Sequence, residues 1–187
     1  MSVSLKTTPQ KPGPRRERLA EMLRVDHAGE YGAVAIYRGQ RAIFDKLPEK
    51  ARISSLLKEM EDGEALHLAT FDALLAERRI RPTLLAPFWN AAGFGLGAAT
   101  ALMGEKAAMA CTSAVEDVIE KHYAAQIGEL EAGEPRLAET VRQFREDELE
   151  HKQTAEDEGA QSAPGYDLLS TVIKLGCRAA IRIAQKV

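Results

Sequence analysis

The stretch "EALH" at residues 64–67 decides how this chain is read, because it interrupts an otherwise apolar helical seam. Steps of three and four residues outward from it give Leu57, Met60, Glu64, His67, Phe71 and Leu74. That is a seven-residue core pattern with a carboxylate and an imidazole at its centre. "ELEH" at 148–151 repeats the arrangement on the seam Leu137, Val141, Phe144, Glu148, His151, Ala155. Two other seams carry a single glutamate each: Leu19, Leu23, Asp26, Glu30, Ala33, Tyr37, and Met109, Thr112, Glu116, Ile119, Tyr123, Gln126, Leu130. The order Glu, Glu-x-x-His, Glu, Glu-x-x-His is an internal repeat. Each half is one helix and its return.

The rest of the chain fits that frame. Alternating β-branched runs are nearly absent and helical periodicity is nearly everywhere, so the fold class is all-α, a four-helix bundle of two helix-pair repeats. The expected helices run over about 15–46, 49–79, 104–132 and 135–158, separated by Pro48, Pro82 and "AGEP" at 132–135. Residues 1–16, polar and proline-rich, read as a mobile lead before a single domain over 17–187. The stretch from Pro82 to Gly104 carries no charge. Its prolines, Asn90 and four glycines argue for a greasy hairpin or a shallowly inserted, membrane-facing connector over 82–104, and against a continuous spanning helix. An extra C-terminal helix over about 167–186 sets Lys174, Arg178, Arg182 and Lys186 in a stripe beside Val172, Ile173, Leu175, Ala179 and Ile183. It is read either as lying on anionic lipid or as packing its apolar face on the bundle.

The seam residues carry the chemistry. A glutamate and a histidine three apart share one helical face. Four carboxylates sunk in one core cannot stay ionised without a compensating charge, since each isolated buried charge costs many kcal/mol. Two divalent cations would balance Glu30, Glu64, Glu116 and Glu148, with His67 and His151 giving one nitrogen ligand per metal. One glutamate from each of two helices plus Glu-x-x-His from each of the other two is the ligand set of di-iron and di-manganese bundles. So oxygen-rich a set suits iron or manganese better than a closed zinc site. Asp26, one turn before Glu30, is read as an acceptor for the free N–H of a ligating histidine or as a surface acid. His27 falls beside the seam and reads as structural or exposed. Tyr123 borders the site or is a core tyrosine with a satisfied hydroxyl, and Glu146, Asp147 and Glu150 fall off the seam and read as solvated.

Composition excludes other classes. A net charge of −3, a pI near 5.9 and no basic patch with interleaved aromatics argue against nucleic-acid binding. Cys111 and Cys177 have no metal-like or redox spacing, so a reducing compartment is the default. "GFGLG" at 93–97 follows no strand, and no Rossmann-type nicotinamide site is expected.

"LRVDHAGEYGAVAIYRGQ" (23–40), "EALHLATFDALL" (64–75), "AVEDVIEKHYAAQI" (114–127) and "FREDELEHKQTA" (144–155) resemble the demethoxyubiquinone hydroxylase family of ubiquinone biosynthesis, from about residue 19 onward. The resemblance implies a ferritin-like di-iron monooxygenase that uses O2 to hydroxylate a prenylated quinol, 2-methoxy-6-polyprenyl-3-methyl-1,4-benzoquinol. It implies Glu30, Glu64, His67, Glu116, Glu148 and His151 as the ligands of two iron ions, and a place for His122 and Tyr123 at the substrate pocket or in electron transfer. NADH or a reduced quinone would supply electrons. Further implications are peripheral attachment to the quinone-bearing membrane and a possible homo-oligomer or ubiquinone-biosynthesis complex. As the lead lacks an Arg- and Ser-rich amphipathic character, the cytoplasmic side of a bacterial cell inner membrane is expected. The residues alone leave a second reading open, a non-enzymatic ferritin-like iron-binding or storage bundle.

Overall fold

A computed structural model describes residues 14–186 of the chain. Among the described residues are six α-helices and no strand, as the all-α reading expects: α1 (Arg16–Phe44), α2 (Ala51–Arg78), α3 (Ala86–Leu102), α4 (Glu105–Leu130), α5 (Pro135–Asp157) and α6 (Tyr166–Ala184). The mobile lead falls mostly outside the described residues, and Arg16 at its end already belongs to α1.

Helices α1, α2, α4 and α5 are the four seam helices. α1 packs on α2 and α4 on α5, and the two pairs close into a bundle. Its apolar core falls into two clusters. One joins Leu19, Leu23, Phe71, Leu130 and Val141, and the other joins Phe44, Ile53, Leu57, Met109 and Ala155. Glu30 lies between Leu23 and Phe44 along α1, and Glu64 lies between Leu57 and Phe71 along α2. The polar seam residues are therefore sandwiched between two apolar layers, which lower the dielectric around them.

The uncharged connector is not a hairpin. It is the continuous helix α3, with Pro87 in its first turn where the missing N–H costs nothing. Two of the four glycines read from sequence as helix breakers, Gly93 and Gly97, are contact points with α1. A Cβ on Gly93 would come within 2.7 Å of the Gly32 carbonyl oxygen, and one on Gly97 would collide with the carbonyl of Ile36. On the α1 side, a Cβ on Gly39 would collide with the backbone at Phe94 and Ala98. Backbone-to-backbone packing repays the helix propensity that these glycines lose. The outer face of α3 leaves Leu84, Phe88, Phe94, Leu102 and Met103 exposed on the helix and its flanks.

Helix α6 packs on α4. Neither simple reading of it holds whole: Ile173 and Ser170 face the bundle, whereas Leu168, Val172, Leu175 and Ile183 stay exposed. Lys174 leaves the basic stripe to reach Asp117 Oδ2 at 3.0 Å. Asp117 also receives Lys121 and Lys152, each at 2.7 Å, so one buried carboxylate ties α4, α5 and α6 together. Against the upward push of burial, the three ammonium groups hold that carboxyl well below its ordinary range. At the far end, Trp89 of α3 and Ile181 of α6 pack against a small cluster of Val25, Ala28 and Ala184, so α3 and α6 meet beside α1.

Candidate metal centre

The six seam residues converge. Glu30, Glu64, Glu116 and Glu148 are all at most 1% exposed, His67 is buried, and His151 is partly open. Their donor atoms form two groups, Glu30, Glu64, His67 and Glu148, and Glu64, Glu116, Glu148 and His151; within each, the atoms lie within 4.8 Å of one another. Glu64 and Glu148 belong to both. Each is a carboxylate with two oxygens, so each can bridge two ions while Glu30 and Glu116 serve one ion apiece.

Eight donor atoms of this cluster are buried without a hydrogen-bond partner: one oxygen each of Glu30 and Glu116, both oxygens of Glu64 and Glu148, and Nδ1 of each histidine. Buried polar atoms in native proteins are almost always satisfied, so a convergent set of orphans is compatible with a bound cation as their shared partner. His67 Nδ1 faces Glu148 Oε1 at 3.3 Å and Glu30 Oε2 at 3.5 Å, and His151 Nδ1 faces Glu64 Oε1 at 2.8 Å. A pair of divalent cations fits this donor set in number, charge and oxygen-rich chemistry.

The electrostatics of the metal-free cluster say the same. Burial first, and repulsion from Glu64 next, push Glu30 and Glu148 well above the ordinary carboxylate range and raise Glu116 to about 7. Burial also works against Glu64, but the close approach of the His151 and His67 imidazoles holds it at about 2. Both histidines are driven up by the surrounding carboxylates despite burial. Without cations, then, the cluster retains protons that metal would displace.

Around the donors, two tyrosines cross between the halves. Tyr37 O–H of α1 donates to Glu116 Oε1 at 2.7 Å, and Tyr123 O–H of α4 donates to Glu30 Oε1. Each stands seven residues after the lone glutamate of its own helix and fixes the lone glutamate of the other. Tyr37 was visible on its seam but carried no assigned task, since only a cross-helix contact shows which carboxylate it meets.

Asp26 is buried but does not face a ligating histidine. Its Oδ1 accepts from Gln126 Nε2 at 2.8 Å and lies 3.1 Å from His122 Nε2. Asp147, read as solvated, is the acid behind a candidate ligand: His67 Nε2–H donates to its Oδ2 at 3.0 Å. Asp147 sits one residue off the seam, and the turn of α5 still brings it alongside α2 at the rim. Glu146 and Glu150 are exposed as expected, and His27 is structural, bonded through Nε2 to Asp72 Oδ1 at 2.9 Å. Cys111 and Cys177 are free thiols. "GFGLG" is part of α3.

Residues 17–184 match the family model described as Ubiquinone biosynthesis protein COQ7. A 3-demethoxyubiquinol 3-hydroxylase of Rhodospirillum rubrum is 50% identical over 165 residues, which cover 88% of this chain and 76% of that protein. The human NADPH-dependent 3-demethoxyubiquinone 3-hydroxylase, mitochondrial, is 42% identical over 175 residues, covering 91% of this chain and 79% of the relative. The 5-demethoxyubiquinone hydroxylase, mitochondrial, of Saccharomyces cerevisiae is 40% identical over 185 residues, covering 90% and 78%.

Proposed function

Since the chain belongs to the Ubiquinone biosynthesis protein COQ7 family, we propose that it is a 3-demethoxyubiquinol 3-hydroxylase working at an iron pair in its bundle core. The single observation that carries the metal site is the set of eight orphaned donor atoms facing one another between two apolar layers. Glu30, Glu64, His67 and Glu148 hold one ion; Glu64, Glu116, Glu148 and His151 hold the other. When bound, the reduced pair supplies two electrons to O2, so that one oxygen atom enters the quinol ring and the other leaves as water. The names of the relatives favour this reading over iron storage.

The protein's own part is positioning. The four carboxylates neutralise the two cations, and the low-dielectric layers above and below keep that pairing strong. Tyr37 and Tyr123 restrain the lone glutamates, so that the carboxylates do not swing when charge changes at the centre. His122, Gln126 and Asp26 form a hydrogen-bonded cluster one turn from Glu30 and next to Tyr123. In this reading the cluster serves the substrate or the supply of electrons. The electrons come from a reduced nicotinamide or from a reduced quinone.

The exposed apolar side chains of α3 and α6, together with Arg178 and Arg182, suit a helix-pair surface that rests on anionic lipid and meets a prenylated quinol there. No described helix is long and apolar enough to cross a membrane. In this reading the attachment is peripheral, on the cytoplasmic side of the inner membrane. The test is a single turnover. The protein is loaded anaerobically with Fe(II), mixed with demethoxyubiquinol in detergent and exposed to oxygen, and mass spectrometry looks for a quinone one oxygen heavier. That product is expected from the native chain and not from Glu148→Ala. Its absence from the iron-loaded native chain, with reductant supplied, would remove the hydroxylase assignment.

A further inference from the structure

The internal repeat aligns Asp147, which precedes Glu148, with Gly63, which precedes Glu64. These two positions occupy the same helical place, each beside the histidine contributed by the facing helix. Their chemistry differs. Asp147 accepts the Nε2–H of His67 at 3.0 Å, is itself bonded by Gln143 Nε2 at 3.0 Å, and backs a ring already stacked on Phe144 with centroids 3.9 Å apart. Gly63 offers His151 no acceptor. A Cβ at residue 63 would lie only 3.3 Å from Cε1 and 3.4 Å from Nε2 of that ring.

Glycine inside a helix is less favourable than alanine. Here it makes room for the His151 ring in the α2–α5 groove. A cavity of about 410 Å³ opens on this face, lined by His67, His151, Gly63, Phe144, Asp147 and Glu150 among others. No hydrogen bond reaches His151 Nε2 from Glu150 or from any other described residue around this cavity. His151 is the more open of the two rings, with its side chain 15% exposed against 4% for His67.

From this we infer that the two metal positions are held unequally: Asp147 is a positioning residue that locks His67, while Gly63 leaves His151 free, so the His151 position fills last and empties first. The proposal rests on the two-metal reading above. An acid behind a ligating histidine fixes its tautomer and orientation, and removing one typically costs 10–100-fold in metal affinity.

The experiment is metal release. The full chain is loaded anaerobically with Fe(II), and transfer to an excess of a coloured chelator is followed by stopped flow. Two phases of equal amplitude are expected, at least roughly tenfold apart in rate. His151→Ala should remove the fast phase and His67→Ala the slow one. Asp147→Asn should accelerate the slow phase roughly 10–100-fold without touching the fast phase, while the melting of its apoprotein stays at the native temperature. Release of two equivalents at one rate, a slow phase indifferent to Asp147→Asn, or loss of the slow phase in His151→Ala would overturn the proposal and leave the two-metal site standing. Should Asp147→Asn fail to fold, the two histidine variants decide the matter. A native chain that binds no iron would overturn this inference and the metal-site reading together.

Discussion

The first three helices and the last three are built on one plan and finished differently. In each half a pair of seam helices is followed by a third helix laid back on the first: α3 on α1, and α6 on α4. Facing the centre, the halves match. Tyr37 meets Glu116 as Tyr123 meets Glu30, and Gln40 reaches Ala108 O and Thr112 on one side as Gln126 reaches Asp26 on the other. Away from the centre they part: Asp147 answers to Gly63, His122 to Ile36, and the glycine-packed, uncharged α3 to a basic α6 held by the Asp117 clamp. Two cations of equal charge would ask the same of both halves. The outer surfaces are under no such constraint, and there the repeat has diverged.

The strongest test of the shared interior removes a carboxylate that serves both positions. Glu148→Ala or Glu64→Ala should take bound iron from two equivalents to almost none and abolish turnover, whereas Glu116→Ala should keep the equivalent bound by Glu30, Glu64, His67 and Glu148. Elemental analysis after desalting distinguishes them. A Glu148→Ala chain that retained one tightly bound ion would break the symmetry.

A second test uses protons in place of metal. In the metal-free chain Glu116 has its carboxyl raised from 4.5 to about 7, so the folded state binds more protons than the unfolded one between those values. Stability must therefore fall as pH rises through that window, by an amount on the order of a few kcal/mol, and the raised Glu30, Glu148, His67 and His151 act in the same direction. Thermal melts of apoprotein from pH 5 to 8 should decline, and those of the iron-loaded form should not. A flat apoprotein profile would mean that the cluster is not proton-loaded when empty.

The packing of α3 on α1 can be tested by glycine substitutions within α3. Gly97→Ala places a methyl against the Ile36 carbonyl and should lower unfolding stability by about 1–3 kcal/mol, while Gly95→Ala, with open space around it, should raise it by about 0.5–1 kcal/mol. Urea titrations read both. Equal effects would mean that α3 does not rest on α1 through its glycines.

Smaller effects on iron binding than those of the carboxylates are expected from the tyrosines. Tyr37→Phe and Tyr123→Phe should each weaken iron binding roughly tenfold and by matching factors, since each frees one lone glutamate. Chelator competition measures this. A large difference between them would show that the two-fold match stops short of the carboxylates.

Much of this was legible in the sequence, because periodicity alone tells which residues share a face. Glu64 and His67 had to lie beside Met60 and Phe71, and four such seams in a chain without strands had to close on one another. The readings of the α3 glycines and of Asp147 failed over contacts between helices. Gly93 and Gly97 look like breakers when only helix propensity is counted, and become packing sites only when another backbone lies against them. Asp147 falls off its seam by one residue, yet at the bundle rim the neighbouring helix comes close enough for His67 to reach it.

What the sequence determined by itself is the candidate donor set and its repeat: a helix places residues three, four and seven apart on one face whatever surrounds it. Which tyrosine restrains which glutamate, which histidine is backed by an acid and which lies open to a cavity were decided only by the tertiary structure. Those are distances between residues far apart in the chain, and they depend on how closely neighbouring helices approach, which local periodicity does not contain.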